Sequence, residues 1–367
     1  MTTLPEMTER IDDEFVTTWY EIRAEAIDNI LDATVVSAAL RDAGCFHSQV
    51  GSDIITRTIR YGKKTIEGFG KGSTLPADED PLETMAWWPW KYFTVPVTRS
   101  LIDDQQNAGP SKIKDYVQLR LTAAREGLVE GIEDILMADD MHFDNDIATG
   151  GTSRTSASQK LLPYSLFDYL PDLFNTDWFA TGTAWTYGNV GRGVDAGNDW
   201  WVHMDFTDAG TTTPHRYDNK PGPVAVTLYE DMVNAYNYAG RNKEYPNLII
   251  TSQEIFEFYD QFATSKDQLI KDATTKLADL GYEVFRFKGK PIVWSDDFDT
   301  VGESAITKQM MMLNTNYFEI VYDPNLWFDM SDWRVPPRQH ERVAYISSSM
   351  QCIGTQPRRN ARIYWDS

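Results

Sequence analysis

Between residues 8 and 42 apolar side chains return every three or four positions: Ile11, Phe15, Trp19, Ile22, Ala26 and Ile30. That spacing is one face of a helix. It predicts a helical arm with a break near Asp32. The period then changes from helical to alternating. Residues 53–61 set Ile55, Ile59 and Tyr61 against Thr56, Thr58 and Arg60. Residues 90–98 repeat the alternation with Phe93, Val95 and Val97 on one side. Both stretches predict strands. Pro96 places the second at a sheet edge, because proline has no N–H to give to a ladder. Two such strands would form a ribbon of about 30 Å. Residues 62–89 between them show no period and are rich in Gly and Pro. A connection of that length is a surface loop or an arm reaching another subunit.

After Gly109-Pro110 the pattern is helical again, from Ser111 to about Asp139. Ile113, Val117, Leu121, Ala124, Leu128, Ile132 and Ile135 form a continuous stripe along it. Gly127 and Gly131 inside this helix each cost about 1 kcal/mol relative to Ala. Close packing against a backbone, or a bend, is expected to offset that cost. Residues 140–223 lack a helical period and predict irregular strands with aromatic side chains. From 224 the chain reads as α/β. A helix over 227–240 stops at Gly240, and 247–252 forms a short buried strand. Thr251 and Glu254 have capping-box spacing before another helix. Residues 282–294 form a hairpin turning near Gly289, and two strands flank Asn314-Thr315-Asn316. A last long strand runs from Val343 to Ile353. The chain shows no internal repeat.

Composition narrows the function. The 367 residues carry a net charge of −21, against the basic surface that tight binding to a phosphate backbone needs. Two cysteines, Cys45 and Cys352, are too few for a disulfide framework or a four-thiolate zinc site. They fit folding in a reducing compartment. No signal peptide is read at the acidic N-terminus, and no run of apolar residues is long enough to span a membrane.

Chemistry-bearing patterns are sparse. Nine adjacent acidic pairs occur where about eight are expected from composition alone. The five histidines show no metalloprotease or zinc-finger spacing. Asp140, Asp144 and Asp146 begin like a calcium loop that lacks its Gly and closing Glu. GFGKGST (68–74) departs from the phosphate-loop pattern and precedes no helix. Trp87, Trp88 and Trp90, and the pair Trp200-Trp201, suit either sugar stacking or protein–protein anchoring. No catalytic residue, cofactor or metal site is assigned.

The order of parts resembles the tailed-phage major capsid proteins, the Hong Kong 97 fold. The segments that carry the resemblance are YFTVPVTRSLIDDQQNAGPSKIKDYVQLRLTAAREGLVEGIEDILM (92–137) and YGNVGRGVDAGNDWW (187–201). PNLIITSQEIFEFYDQF, FKGKPIVWSDDF, LNTNYFEIV and PRRNARI follow in the family's order. The resemblance implies an α+β capsid fold in five parts. These are an N-terminal arm (1–50), an extended β-ribbon loop (51–98) and a peripheral domain (99–225) with its spine helix at 111–139. An axial domain (226–330) and a return to the peripheral domain (331–367) complete it.

It also implies a non-enzymatic shell subunit that assembles with itself into hexamers and pentamers around double-stranded DNA. Portal and scaffold or decoration proteins are further implied partners. Such a subunit would fold in the host bacterial cytoplasm and reside in the virion, without a membrane. Expected intersubunit contacts are Phe69, Trp87, Trp88, Trp90, Ile55 and Ile59 of the ribbon, with Phe15 and Trp19 of the arm. Arg57, Arg60, Lys63 and Lys64 are the basic residues expected to face DNA, with a second cluster at Arg358, Arg359 and Arg362. Neither a scaffolding segment before the arm nor a lysine–asparagine cross-link is expected. Two alternatives stay open: an encapsulin-type shell of the same fold, and an acidic carbohydrate-active enzyme using two carboxylates and Trp platforms.

Overall fold

A computed structural model describes residues 19, 34–62, 71, 82–100, 116–137, 162–170, 185–192, 199–201, 204–206, 216–217, 224–240, 243–265, 285–295, 308–337 and 341–365. Expectations for residues 1–33 other than Trp19, and for residues 63–81 other than Lys71, fall outside these residues. Thr34 has extended backbone (φ −114°, ψ 145°) and precedes a new helix, α1 (Val35–Asp42). A short strand, β1 (Phe46–Ser48), follows.

The ribbon differs from the sequence reading in its second strand. β2 (Ile54–Arg60) pairs antiparallel with β3 (Glu83–Pro89), in register from Ile54↔Pro89 to Arg60↔Glu83. β4 (Lys91–Ser100) belongs to a different sheet. The sequence hid β3 because its outward positions, Met85 and Trp87, are as apolar as the inward Ala86 and Trp88. Apolar side chains on both faces erase the alternation that marks a strand.

The spine helix α2 (Tyr116–Met137) is about 33 Å long at 1.5 Å per residue. Leu121, Ala124, Leu128, Ile132 and Ile135 are buried along it, as the stripe predicts. Gly127 and Gly131 do not pack closely on a backbone among the described residues: a Cβ at either would meet nothing within 4 Å. A one-turn helix, α3 (Leu166–Tyr169), is held by a capping box in which Ser165 and Asp168 bond each other's backbone N–H.

The irregular stretch contributes β5 (Trp185–Tyr187), β6 (Val190–Arg192), β7 (Met204–Phe206) and β8 (Arg216–Tyr217). α4 (Val224–Ala239) ends before Gly240, as read. β9 (Leu248–Thr251) leads into α5 (Gln253–Ser265). Thr251 does not cap α5. It is the last residue of the strand, and its hydroxyl donates to the Gln309 carbonyl at 3.3 Å, while Glu254 pairs with Lys308 at 3.3 Å. β10 (Phe285–Phe287) and β11 (Lys290–Trp294) form the expected hairpin over Lys288 and Gly289 at φ 48° and 78°. β12 (Gln309–Leu313), β13 (Phe318–Tyr322), β14 (Asp329–Met330), β15 (Glu341–Gly354) and β16 (Ala361–Tyr364) complete the chain.

These strands build two principal sheets. In the first, β15 lies between β4 on one side and β13 and β14 on the other, and β1 extends it alongside β13. β4 pairs only with β15 among the described residues, with Pro96 opposite Tyr345. It is therefore an edge strand, as its proline requires. The second sheet has the order β10-β11-β9-β12-β16-β7-β8.

Both faces of its central strands are covered. Met310 and Met312 pack with α4 and α5 on one face, while Met311 and Leu313 join the larger core of α1, α2 and the first sheet on the other. A strand buried on both sides reads as an unbroken apolar run, and Gln309–Leu313 is fully buried. A 3-10 turn at Thr315–Tyr317 carries the chain from one sheet to the other.

Candidate assembly surface

The ribbon's two faces differ sharply. Ile55, Ile59, Ala86 and Trp88 point inward and are at most 1 % exposed. Ile54, Met85 and Trp87 point outward, with Met85 63 % and Trp87 37 % exposed. The inward face rests on the β5–β6 hairpin and the segment after it. Trp88 meets the edge of Tyr187 at 5.6 Å, and the Trp87 N–H donates to the Gly188 carbonyl at 3.0 Å. Gly188 has φ +60°, and a Cβ there would lie 2.5 Å from the Trp88 ring. Only glycine satisfies both the backbone and the contact. Tyr61, at the end of β2, stacks on Trp200 at 4.6 Å and 12°.

Tyr187 is the centre of this platform. Its hydroxyl accepts from the Gly354 N–H at 2.9 Å, and its carbonyl accepts the Trp201 indole N–H at 3.1 Å. Its ring lies against Tyr164 and Tyr169. Tyr169 fills the space above Gly354, where a Cβ would come within 1.9 Å of its ring. Gln351 ties the ribbon to β15, donating from Nε2 to the Pro89 carbonyl at 3.0 Å. Tyr187, Gly188, Trp200 and Trp201, from the stretch that carries the resemblance, therefore seat the ribbon. Trp88 and Trp201 are enclosed, and Trp200 is covered by Tyr61, so none of the three offers an open sugar platform.

The structure divides the expected contact residues. Ile55, Ile59 and Trp88 lie in the chain's own core, where a side chain has no surface left for a neighbour. Trp19 is also fully buried in its own chain, with its indole N–H donating to the Phe328 carbonyl at 3.0 Å. For these four the expected intersubunit contact is corrected to an intrachain one. Trp90 is half-buried and donates from Nε1 to the Ser52 carbonyl at 2.9 Å. Trp87 remains on the open face, joined there by Met85 and Ile54, which the sequence reading did not single out. Phe15 and Phe69 lie outside the described residues.

The basic residues are revised too. Arg57 reaches inward rather than toward a ligand. Its Nε and Nη2 donate to Glu319 Oε2 at 3.0 and 2.7 Å, and Nη1 donates to Gln49 Oε1 at 3.3 Å. Arg362 is buried, donating to the Leu170 carbonyl at 2.8 Å and Gln309 Oε1 at 3.0 Å. Arg359 is paired with Glu244. Arg60 is exposed on the outward face of the ribbon. Lys63 and Lys64 are outside the described residues. At the start of β4, burial pulls the Lys91 ammonium below its usual range, and the Asp168 carboxylate partly opposes that.

No family model matches the chain, and no curated protein matches it in sequence. Solved structures do. The chain is similar to one in the capsid asymmetric unit of cyanophage A-1(L), with a TM-score of 0.56 and 14 % identity, covering 85 % of this chain and 87 % of that one. It is also similar to the capsid of a native GTA particle (TM-score 0.48, 13 % identity, 90 % of each chain). The SrpI encapsulin of Synechococcus elongatus is a further likeness (TM-score 0.48, 11 % identity, 89 % of this chain and 90 % of that one).

Proposed function

From a chain with the Hong Kong 97 capsid fold and an apolar ribbon face left open, we propose a major capsid protein of a tailed double-stranded DNA phage. Copies assemble through the ribbon into hexamers and pentamers, and these close into an icosahedral head. The observation that carries the reading is the match to the cyanophage capsid chain over 85 % of the length, with the outward row Ile54, Met85 and Trp87 uncovered. In this reading the sheet around β15 with α2 is the peripheral domain. The sheet around β9 with α4 and α5 is the axial domain, and residues 51–98 are the extended loop. Portal and scaffold or decoration proteins complete the partners, and packaged DNA touches the wall weakly. No residue needs a catalytic role.

Electron microscopy and light scattering of the purified chain test the reading. Hollow particles tens of nanometres across are expected, built from rings of five and six. A monodisperse monomer at high concentration, across several salts, would overturn it.

A further inference from the structure

The loop before β2 turns sharply at Gly51 and Ser52, the latter with φ +85° and its hydroxyl bonded to the Ile54 carbonyl at 2.6 Å. This loop, β4 and the segment after β13 enclose a notch at the base of the ribbon. Ser52, Asp53, Trp90, Tyr92, Asp323 and Ser349 line it. Asp323 is held in place by its own turn: Oδ1 accepts from the Asn325 N–H at 2.9 Å, and its N–H donates to the Ser349 carbonyl at 3.2 Å. Trp90 is held by its bond to the Ser52 carbonyl. Asp53 makes no hydrogen bond or ion pair among the described residues, and Tyr92 is 58 % exposed. Two carboxylates and two aromatic side chains lining one notch suit a cationic side chain. A guanidinium suits it better than an ammonium, because it can stack on a ring while donating to a carboxylate.

The same ribbon carries a cation at its other end. Arg60 lies on the exposed face and forms no ion pair among the described residues. Six residues of strand, about 20 Å, separate it from the base of the ribbon. One copy's Arg60 therefore cannot enter its own notch. We infer that Arg60 of a second copy docks in the notch formed by Asp53, Asp323, Trp90 and Tyr92. This inference rests on the assembly reading and specifies its chemistry. A ribbon with an acidic, aromatic base and, six residues along β2, an outward arginine opposite Glu83 joins copies head to tail. Such a contact uses different surfaces on the two partners and closes into a ring when the rotation allows.

A charge swap in the full-length chain tests it. The readouts are the concentration threshold for particle formation, by light scattering with microscopy, and circular dichroism of the subunit. Arg60→Asp and Asp53→Arg are expected to raise the threshold about threefold or more each, the scale of one surface ion pair per contact. The double variant Arg60→Asp/Asp53→Arg restores complementarity and should return the threshold toward the wild-type value. A Tyr92→Ala variant, which keeps every charge, should also raise it. Folded single variants that assemble at the wild-type threshold would overturn the docking while leaving self-assembly intact. So would a double variant no better than the singles. A wild-type chain that forms no particles would overturn the assembly reading itself, and the docking with it.

Discussion

Trp87 and Trp88 are adjacent and chemically identical, yet the pleat of β3 sends them to opposite faces. Trp88→Ala should destabilise the subunit by about 3–5 kcal/mol, the usual cost of removing a buried aromatic. It should show as a large drop in the thermal midpoint. Trp87→Ala should leave that midpoint within about 0.5 kcal/mol of wild type. Its effect belongs to assembly, where a central aromatic anchor is worth about 2 kcal/mol or more per contact. Equal midpoints for the two variants would contradict the assigned faces. The sequence could not separate these residues, because only the register Ile55↔Trp88 and Thr56↔Trp87 does so. The cysteines allow a second test. Burial, the Glu319 carboxylate beside it and a counteracting bond to Thr315 leave the Cys45 thiol pushed up to about 12. Burial raises Cys352 as well. The thiolate is the reactive form, so a thiol reagent at pH 8 should label neither residue in the native chain and both after denaturation. Labelling of the native subunit would show that one of these sites opens.

At the scale of elements, legibility followed from how many faces of each element are buried. α2 exposes one face and buries the other, so its stripe at Leu121, Ala124, Leu128 and Ile132 was visible directly. β2 alternates cleanly for the same reason, from exposed Ile54 to exposed Arg60. β3 was missed because its outer face is apolar as well. That correction changes the deletion that would test the ribbon. Removing 62–89 would take Ala86 and Trp88 out of the core and should unfold the subunit. Replacing 63–81 with a short turn keeps the ladder from Ile54↔Pro89 to Arg60↔Glu83. The shortened chain should keep its circular dichroism and thermal midpoint but lose closed particles. Shells of normal stability from that variant would show that the tip takes no part in assembly.

For the whole molecule, the order of parts was readable, but the pairing of distant segments was not. Nothing local in 91–100 announces that it will lie against 341–350. Nor does anything near Trp19 point to the Phe328 carbonyl, 309 residues away. Arg57, Arg359 and Arg362 depart from expectation for a related reason, since their acidic and carbonyl partners arrive from other elements. Arg57, Arg359 and Arg362 all spend their charge inside the subunit. Binding to double-stranded DNA should therefore be weak. A plot of log affinity against log salt should have a slope no steeper than about −3, because each neutralised phosphate contributes about −0.9. A slope several times steeper would reveal a basic surface that the described residues do not provide.

The long reach of these pairings also sets a timetable for synthesis. β4 ends at Ser100, and its partner begins at Glu341. At about 5–20 residues per second, a ribosome needs roughly 10–50 s to bridge that gap. Through most of that interval β1 and β4 have left the ribosome without the strands that will cover them, and the slot for Trp19 does not yet exist. Unpaired edges of this kind adhere to whatever chain is nearby. Each copy must therefore be shielded until its last residues emerge. Chains that terminate before Glu341 should accumulate as aggregate, not as smaller folded subunits.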